Sequence, residues 1–322
     1  MSHNIMEGRR MFFVGEKPWH GLGTELDHPA TAVEAIEAAK LNYLVGQTPI
    51  QTAEGKVIPR KYATVNLETG EPLGIVGENY QIIQNVEAFS FFDVVVGEGQ
   101  AIYHTAGALG KGERIWLLAK LPKDMVVARE DVVEKYIALT TSHDGLSSLK
   151  AYFTPVRVVC QNTLTASLRD AKDGISIRHC GDIKGKIDEA RRVLNLSVNY
   201  YEKFEQIAKQ MVNVQLNAEK VNSYFDKVLG ADVTEESSTR LQNQKDTLVH
   251  LFEYGKGNDR PDVRHTLWAG YNAVTEYADH YRAFKNEGTD GSLRLKNIWF
   301  GSSAQLKDKA FKEAVSLVGL RN

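Results

Sequence analysis

The chain has 322 residues, of which 43% are hydrophobic and 25% charged, and its formal net charge is −2. This length and composition predict a globular protein with either one large domain or two ordinary ones. Two cysteines are too few for a disulfide framework, and the near-neutral charge excludes a uniformly basic coat for nucleic acid.

The apolar runs are too short to cross a bilayer. Phe91-Phe92 and Val94-Val95-Val96 are separated by Asp93, whereas a spanning helix needs about 20 apolar residues. Residues 1–4 lack the charged and apolar layout of a signal peptide. We therefore expect a cytoplasmic protein with no membrane partner.

The N-terminal half has the pattern of β-hairpins interrupted by short helices. Thr31 is expected to begin a helix over residues 32–39, and Asn85 to cap a second one over residues 86–95. Between them, residues 43–80 alternate around a Thr69-Gly70 turn, which predicts hairpins. Further strands are predicted over residues 101–109, 113–121 and 136–142.

The pattern changes to long helices after Ile175. Apolar residues recur at a helical period from 183 to 214. Further helices are predicted over residues 218–229, 238–252, 266–285 and 303–320. The sequence thus predicts an α+β fold, with a mainly antiparallel sheet and helices in the N-terminal half and a helical C-terminal half. We divide it into an α+β domain (1–180) and a helical region (181–322) that packs on it or extends from it.

The segment between the two halves carries the densest polar pattern. His143-Asp144-Gly145 is typical of a turn, and a connecting strand should lead into a second strand over residues 156–160. Asn162 or Thr163 is expected to cap a helix over 164–171. Such a helix start offers unpaired amide donors and a partial positive charge, so a ligand could lie near Arg157, Gln161 and Asn162.

Several motifs spread over nearly the whole chain resemble, in their order, those of the phage/plasmid-like protein family. They are Pro18 to Thr24, Tyr80 to Asn85, Gly107 to Leu118, His143 to Gly145, Thr154 to Leu164, Thr266 to Tyr277, Phe300-Gly301 and Leu306 to Ala310. The function of that family is not established. The resemblance implies a mobile-element setting, with a role in replication, recombination or establishment in a new host.

The charge is unevenly distributed. Residues 1–130 carry 12 Lys and Arg against 16 Asp and Glu, residues 131–195 carry 10 against 8, and the remainder balances at 17 against 17. The local positive excess fits phosphate contact, or equally a solvated face with ordinary ion pairs. Nine of these ten cations follow the His143-Asp144-Gly145 turn, namely Lys150, Arg157, Arg169, Lys172, Arg178, Lys184, Lys186, Arg191 and Arg192.

No catalytic or metal-binding set is evident. The candidate metal ligands singled out have no recognised ligand spacing; they are His20, His143, His179, Cys160 and Cys180. We therefore assign no metal, cofactor or catalytic residue and favour a non-enzymatic protein.

Two further pairs remain candidate site residues. The Trp19-His20 loop, bracketed by Pro18 and Gly21, could hold a ligand or partner subunit, or pin an N-terminal arm into the core. His143 and Asp144 could line a site, although Asp-Gly is above all turn chemistry.

The leading hypothesis is binding of single-stranded DNA, with Tyr152 and Phe153 as stacking faces beside the basic segment. The order of hairpins and helices is similar to that of recombination annealing proteins, which would imply a ring- or filament-forming homo-oligomer. The expected nucleic-acid-binding residues are Lys150, Tyr152, Arg157, Gln161, Asn162, Arg169, Arg178, Lys184 and Lys186.

The assembly hypothesis rests on the helix predicted over 183–214. Tyr200 and Tyr201 are adjacent and so point roughly 100° apart on a helix, which could leave one of them for a second subunit.

The alternative is a protein-binding effector that acts on a host defence or replication factor. Its anchor would be an exposed aromatic set on the helix predicted over 266–285, for which core packing is the competing interpretation. The set comprises Trp268, Tyr271, Tyr277 and Tyr281.

Overall fold

The computed structural model describes residues 11–14, 23–95, 101–157, 162–163, 174–177, 186–230, 239–284, 297–298 and 301–319. The strands are β1 (Met11–Val14), β2 (Thr24–Leu26), β3 (Val45–Gln51), β4 (Val57–Asn66), β5 (Pro72–Gly77), β6 (Ile102–Leu109), β7 (Arg114–Lys120), β8 (Met125–Ala128), β9 (Asp131–Ser142), β10 (Leu149–Arg157), β11 (Asn162–Thr163) and β12 (Gly174–Ile177). The helices are α1 (Ala32–Ala38), α2 (Asn85–Val95), α3 (Lys186–Asn213), α4 (Ala218–Leu229), α5 (Thr239–Tyr254), α6 (Leu267–Glu276), a π-helical turn (Tyr277–Tyr281) and α7 (Ser302–Leu317).

The strands form one large and one small sheet. The large, nine-stranded sheet has the order β11-β10-β9-β7-β6-β1-β2, with β12 also paired to β10 and β8 to β9. Its pairs are antiparallel apart from β1 with β2. The small sheet has the order β3-β4-β5 and is antiparallel. The predicted α+β class, with sheets first and helices after, is confirmed.

One face of the large sheet packs against the helices. Alternate residues of its central strands, such as Leu117, Leu139 and Ala151, point into this core, as the period of two in a strand dictates. Helix α3 covers this face, and the core continues from the sheet into the helices. The predicted boundary at residue 180 lies outside the described residues.

The aromatic residues of helix α3 pack against other parts of the same chain. Tyr200, Tyr201 and Phe204 are all buried. Tyr200 lies 5.2 Å from the Phe153 ring, and the Tyr201 hydroxyl accepts a hydrogen bond from the backbone amide of Tyr136 at 2.9 Å. The expectation that Tyr200 or Tyr201 remains for a second subunit is wrong, because the sheet and the neighbouring aromatic rings occupy both directions.

Helix α6 is buried on every side. It begins at Leu267 with Thr266 as its cap, whose hydroxyl accepts from the Ala269 amide at 3.1 Å. Trp268 donates from its indole nitrogen to the Asp131 carboxylate at 2.7 Å, which ties the helices to β9. The aromatic set proposed as a protein anchor is therefore mostly core, since among its members Tyr281 alone is exposed.

Two local predictions at helix starts have different outcomes. Thr31 forms a capping box with Glu34 and begins α1 as expected. Asn85, however, is the first residue of α2 rather than its cap, because its side chain is used elsewhere. The Gln84 amide instead donates to Glu87 at 2.8 Å.

The β10 region differs from the predicted pair of strands. A single strand runs from Leu149 to Arg157, and β11 returns antiparallel to it with Arg157 opposite Asn162. Asn162 and Thr163 thus pair in the sheet, and the helix predicted over residues 164–171 lies outside the described residues.

No helix in the described part of the chain combines the length and apolar character needed to cross a membrane.

Candidate nucleic-acid interface

The second face of the large sheet is the candidate interface, and we call it the outer face. Directly paired residues of antiparallel strands share a face, so the strand register defines its rows. The first row holds Lys150, Thr140 and Trp116, the second Tyr152, Ala138 and Leu118, and the third Thr154, Tyr136 and Lys120.

Aromatic rings concentrate on this face. Leu118, Tyr136 and Ala138 form a small buried cluster against which Trp116, Tyr152 and Val156 pack while remaining partly exposed. The ring of His104 on β6 meets the ring of Tyr136 edge-on, with 5.2 Å between centroids. Thr140, Tyr136 and Thr154 of the same rows are buried, so the ring surface that the outer face offers is the partly exposed surface of Trp116 and Tyr152.

The cations of the outer face differ in how they are paired. Lys150 is exposed and forms no ion pair with any residue that the structure describes. Lys120 binds Glu134 and lies 3.6 Å from Asp124, and Arg114 lies 3.7 Å from Asp144. Lys150 is thus the cation best placed to meet a phosphate.

Burial keeps the rings of the outer face uncharged. Partial burial raises the pKa of Tyr152 well above its ordinary value, and burial with the nearby Glu134 carboxylate raises the pKa of Tyr136. Burial also lowers the pKa of His104, so its imidazole is neutral at pH 7.

The turn between β9 and β10 is a structural junction rather than an open site. His143 is fully buried, with Nε2 2.8 Å from Asn85 Oδ1. The Asn85 amide nitrogen donates to the Leu41 carbonyl at 2.9 Å, which leaves its oxygen as the acceptor and assigns the proton to His143 Nε2. The Thr64 hydroxyl donates to the His143 carbonyl at 2.6 Å, and so joins the turn to the small sheet.

Asp144 and Gly145, the next two residues, stabilise the conformation of this turn. Asp144 accepts from the Ser142 hydroxyl at 2.6 Å and from the Leu146 amide at 2.8 Å. Gly145 has φ +74°, the left-handed conformation expected of Asp-Gly turns. A Cβ atom on Gly74 of β5 would collide with the Asp144 backbone, so glycine is required for this close approach. The turn interpretation of His143 and Asp144 is confirmed.

The structure describes some of the predicted site residues. Lys150 and Tyr152 lie on the outer face, two residues apart on β10. Phe153 points into the core, so its prediction as a stacking face is wrong. Arg157 and Asn162 are opposite each other on β10 and β11, and Lys186 begins α3. The remaining candidates, Gln161, Arg169, Arg178, Lys184, Trp19 and His20, lie outside the described residues.

Sequence reasoning missed Trp116, Tyr136 and His104, which the sheet brings beside Tyr152. The signal available in the sequence was the alternation along β7, in which every second residue shares a face. The residues on the outer face are Arg114, Trp116, Leu118 and Lys120. Which strands would be neighbours could not be known from that pattern.

Among the described residues, no three side chains of His, Cys, Asp or Glu gather as metal ligands.

Comparison with known proteins identifies the family of this chain. The family model described as Domain of unknown function (DUF932) matches residues 72–299, more than half of the chain, and the chain belongs to that family. No curated protein and no solved structure matches it. The match contains the β9–β10 turn and α6, whereas the motifs at Pro18 to Thr24, Phe300-Gly301 and Leu306 to Ala310 lie outside it.

Proposed function

We propose that this DUF932 protein is a non-enzymatic protein that binds single-stranded DNA on the outer face of its large sheet. The observation that carries the proposal is the adjacency of Lys150, Trp116 and Tyr152 on neighbouring strands. A partly exposed ring stacks on a base, and an exposed lysine beside it meets the phosphate.

A single strand fits this arrangement better than a duplex. A sheet face bearing aromatic residues can stack bases only when they are unpaired and splayed, as on the sheets of RNA-recognition modules. Within a duplex the bases already stack on one another, and their flat faces are unavailable to Trp116 or Tyr152. Since the other two cations, Lys120 and Arg114, are paired with carboxylates, we expect stacking to supply more of the affinity than charge.

The experiment uses the tryptophan fluorescence of the full chain and the anisotropy of a labelled oligothymidylate at two salt concentrations. Stacking should quench the Trp116 signal, and Trp116→Ala should weaken binding by about 1–3 kcal/mol. Lys150→Ala should lower the salt dependence of log affinity by about 0.7, the contribution of one phosphate contact to a single strand.

Two controls make the result specific. Trp116→Phe keeps a ring and should retain most of the affinity, whereas Lys220→Ala removes an exposed lysine from α4 and should change nothing. If Trp116→Ala melts like the wild type and binds the oligonucleotide equally well, the outer face is not the binding surface.

The cellular setting that we propose is DNA replication or recombination of a phage or plasmid, and it rests on the resemblance of the motifs.

The triple replacement of Lys150, Arg157 and Arg178 by Ala is a broader test of the basic segment. It should lower the salt dependence by about 0.7 for each phosphate that the variant no longer binds.

A homo-oligomeric ring or filament remains part of the proposal, because one sheet face offers few phosphate contacts and repeated subunits would align many. Native mass spectrometry with and without oligonucleotide tests it, and a monomer in both conditions would remove the annealing hypothesis.

For the protein-binding alternative, burial leaves Tyr281 as the exposed member of its aromatic anchor, and no further observation favours it.

A further inference from the structure

The hairpin between β3 and β4 projects from the small sheet as an arm, which we define as residues 48–61. Apart from Ile50, every residue in it is exposed. The third strand, β5, pairs with β4 only from Lys61 to Val65, so beyond Lys61 the hairpin has two strands. A two-stranded hairpin is at best marginally stable by itself, and an arm kept this exposed contributes little to the core.

The arm has an irregular strand that turns side chains outward. Between the pairs Pro49–Tyr62 and Gln51–Val57, β3 advances two residues while β4 advances five. The additional residues form a bulge in which Arg60 has φ +59°, an uncommon conformation for a residue other than glycine. Bulges re-aim side chains, and backbone strain of this kind clusters at functional sites.

The charge of the arm is opposite to that of its surroundings. It carries Lys56, Arg60 and Lys61 against Glu54, a net of +2, within the first 130 residues, whose net is −4. The Arg60 guanidinium lies 3.5 Å from Glu78, but both side chains are largely exposed, so this pair is weak. A polyanion is the complementary partner.

Apolar side chains lie beside these cations. Val57 is 56% exposed and Ile58 is 38% exposed, although both are strand residues that ordinarily pack. Pro49 and Pro59 lack an amide donor, one in each strand, which disfavours the addition of a further strand at the edges of the arm. The arm therefore presents side chains rather than backbone to its partner.

We infer that the arm is a second nucleic-acid contact, which enters the major groove of duplex DNA. That groove admits a two-stranded β-ribbon and is about 8.5 Å deep, and the stretch from Pro49 to Thr52 spans roughly 10 Å at the rise of a strand. Lys56 and Lys61 meet phosphates, and Val57 or Ile58 contacts thymine methyl groups at the base edges. This contact is independent of the single-strand site on the outer face.

The test titrates the full chain against a labelled 20-base-pair DNA duplex over a series of salt concentrations. Lys56→Ala with Lys61→Ala should lower the slope of log affinity against log salt by about two, since each phosphate contact to B-DNA contributes about 0.9. Lys56→Arg with Lys61→Arg should keep the slope. The matched control, Lys220→Ala with Lys227→Ala, removes two exposed lysines from α4 and should leave it unchanged.

A second variant tests the apolar contact. Ile58→Ser should weaken duplex binding without changing the salt slope, because it removes no charge. A double-stranded RNA of the same length should bind less tightly than the DNA, since the major groove of A-form RNA is too narrow for side chains to read.

The results separate this inference from the proposed function. Arm variants should leave the quenching of Trp116 by oligothymidylate intact, and Trp116→Ala should leave duplex binding intact. Duplex affinity and slope that are the same in the wild type and the arm variants would overturn the inference. So would self-association without DNA that the arm variants abolish, because the arm would then contact a second copy of the chain.

Discussion

Lysine has opposite roles in two regions of this molecule. On α7, Lys307 is fully buried and donates to Asp279 of the π-helical turn at 2.8 Å. On the hairpin arm, Lys56 and Lys61 are exposed, and neither forms an ion pair with a described residue. A buried charge must be paired because it has lost its water, whereas an exposed charge remains available to a partner. The two regions therefore respond differently to the same substitution.

Removal of the buried lysine should have the largest effect on stability. Lys307→Ala leaves Asp279 buried without its main partner, and we expect the free energy of unfolding to fall by about 3–5 kcal/mol. Urea denaturation followed by circular dichroism measures it. Lys312→Ala on the same helix is the matched control, because its pair with Asp308 is exposed and contributes about 0.5 kcal/mol or less.

The double variant Lys307→Met with Asp279→Leu separates pairing from packing. It should recover much of the stability that Lys307→Ala removes, since apolar residues of similar size can replace a buried ion pair. A double variant as unstable as the single one would show that the pair is not what Lys307 contributes.

The next largest effect should come from the β9–β10 turn. Asn85→Ala removes the acceptor of the buried His143 and the donor to the Leu41 carbonyl. Leaving those groups without partners should destabilise the fold by about 1–3 kcal/mol. Asn222→Ala, on α4, removes a hydrogen bond within an accessible helix and should stay within about 0.5 kcal/mol. Equal melting curves for the two variants would contradict the structural role assigned to the turn.

The outer face should make stability depend on pH through His104. Because burial lowers its pKa, the unfolded chain binds a proton first as the pH falls. The contribution of His104 should be complete above about pH 6.5, the ordinary histidine value, and should decline as the pH falls toward its folded pKa. His104→Gln should flatten the stability profile between pH 7 and 5, whereas the exposed His250→Gln should not. A profile that is unchanged in His104→Gln would assign the acid sensitivity to other groups.

The smallest effect is expected on the arm. Lys56→Ala with Lys61→Ala should change the free energy of unfolding by less than about 0.5 kcal/mol, because surface substitutions away from packed features are nearly neutral. Unchanged stability together with a weaker duplex affinity would show that the arm lysines serve binding, whereas Lys307 serves stability. A destabilisation of several kcal/mol would instead mean that the arm packs against part of the chain.

The local pattern of the sequence was sufficient for most of the elements, although it did not predict the short strands β1, β2, β8 and β12. The capping box at Thr31, the Asp144-Gly145 turn and the alternation in β7 are each determined by residues within a few positions of one another. Hairpin and helix formation depend on such short-range periodicity and turn chemistry, so the α+β class followed from it. The long amphipathic helix α3 was predicted for the same reason.

Longer-range contacts were not predictable in this way. Asn85 has the residue type of a cap, yet its partners are Leu41 and His143, 44 and 58 positions away. Tyr200 and Tyr201 diverge on their helix, but the sheet and the neighbouring aromatic rings bury both. A helix period specifies which residues share a face, and it does not specify how many neighbours that face will meet.

The sequence by itself determined most of the elements, the turns between them and a basic segment around Lys150, because these depend on neighbouring residues and their charges. Only the tertiary structure decided which of the polar and aromatic side chains are buried. It placed Phe153, Trp268 and His143 inside, and left Trp116 and Lys150 on one sheet face and Lys56 on a projecting arm. The physical reason is that burial depends on strand order and on the packing of distant elements, which no window of the sequence contains.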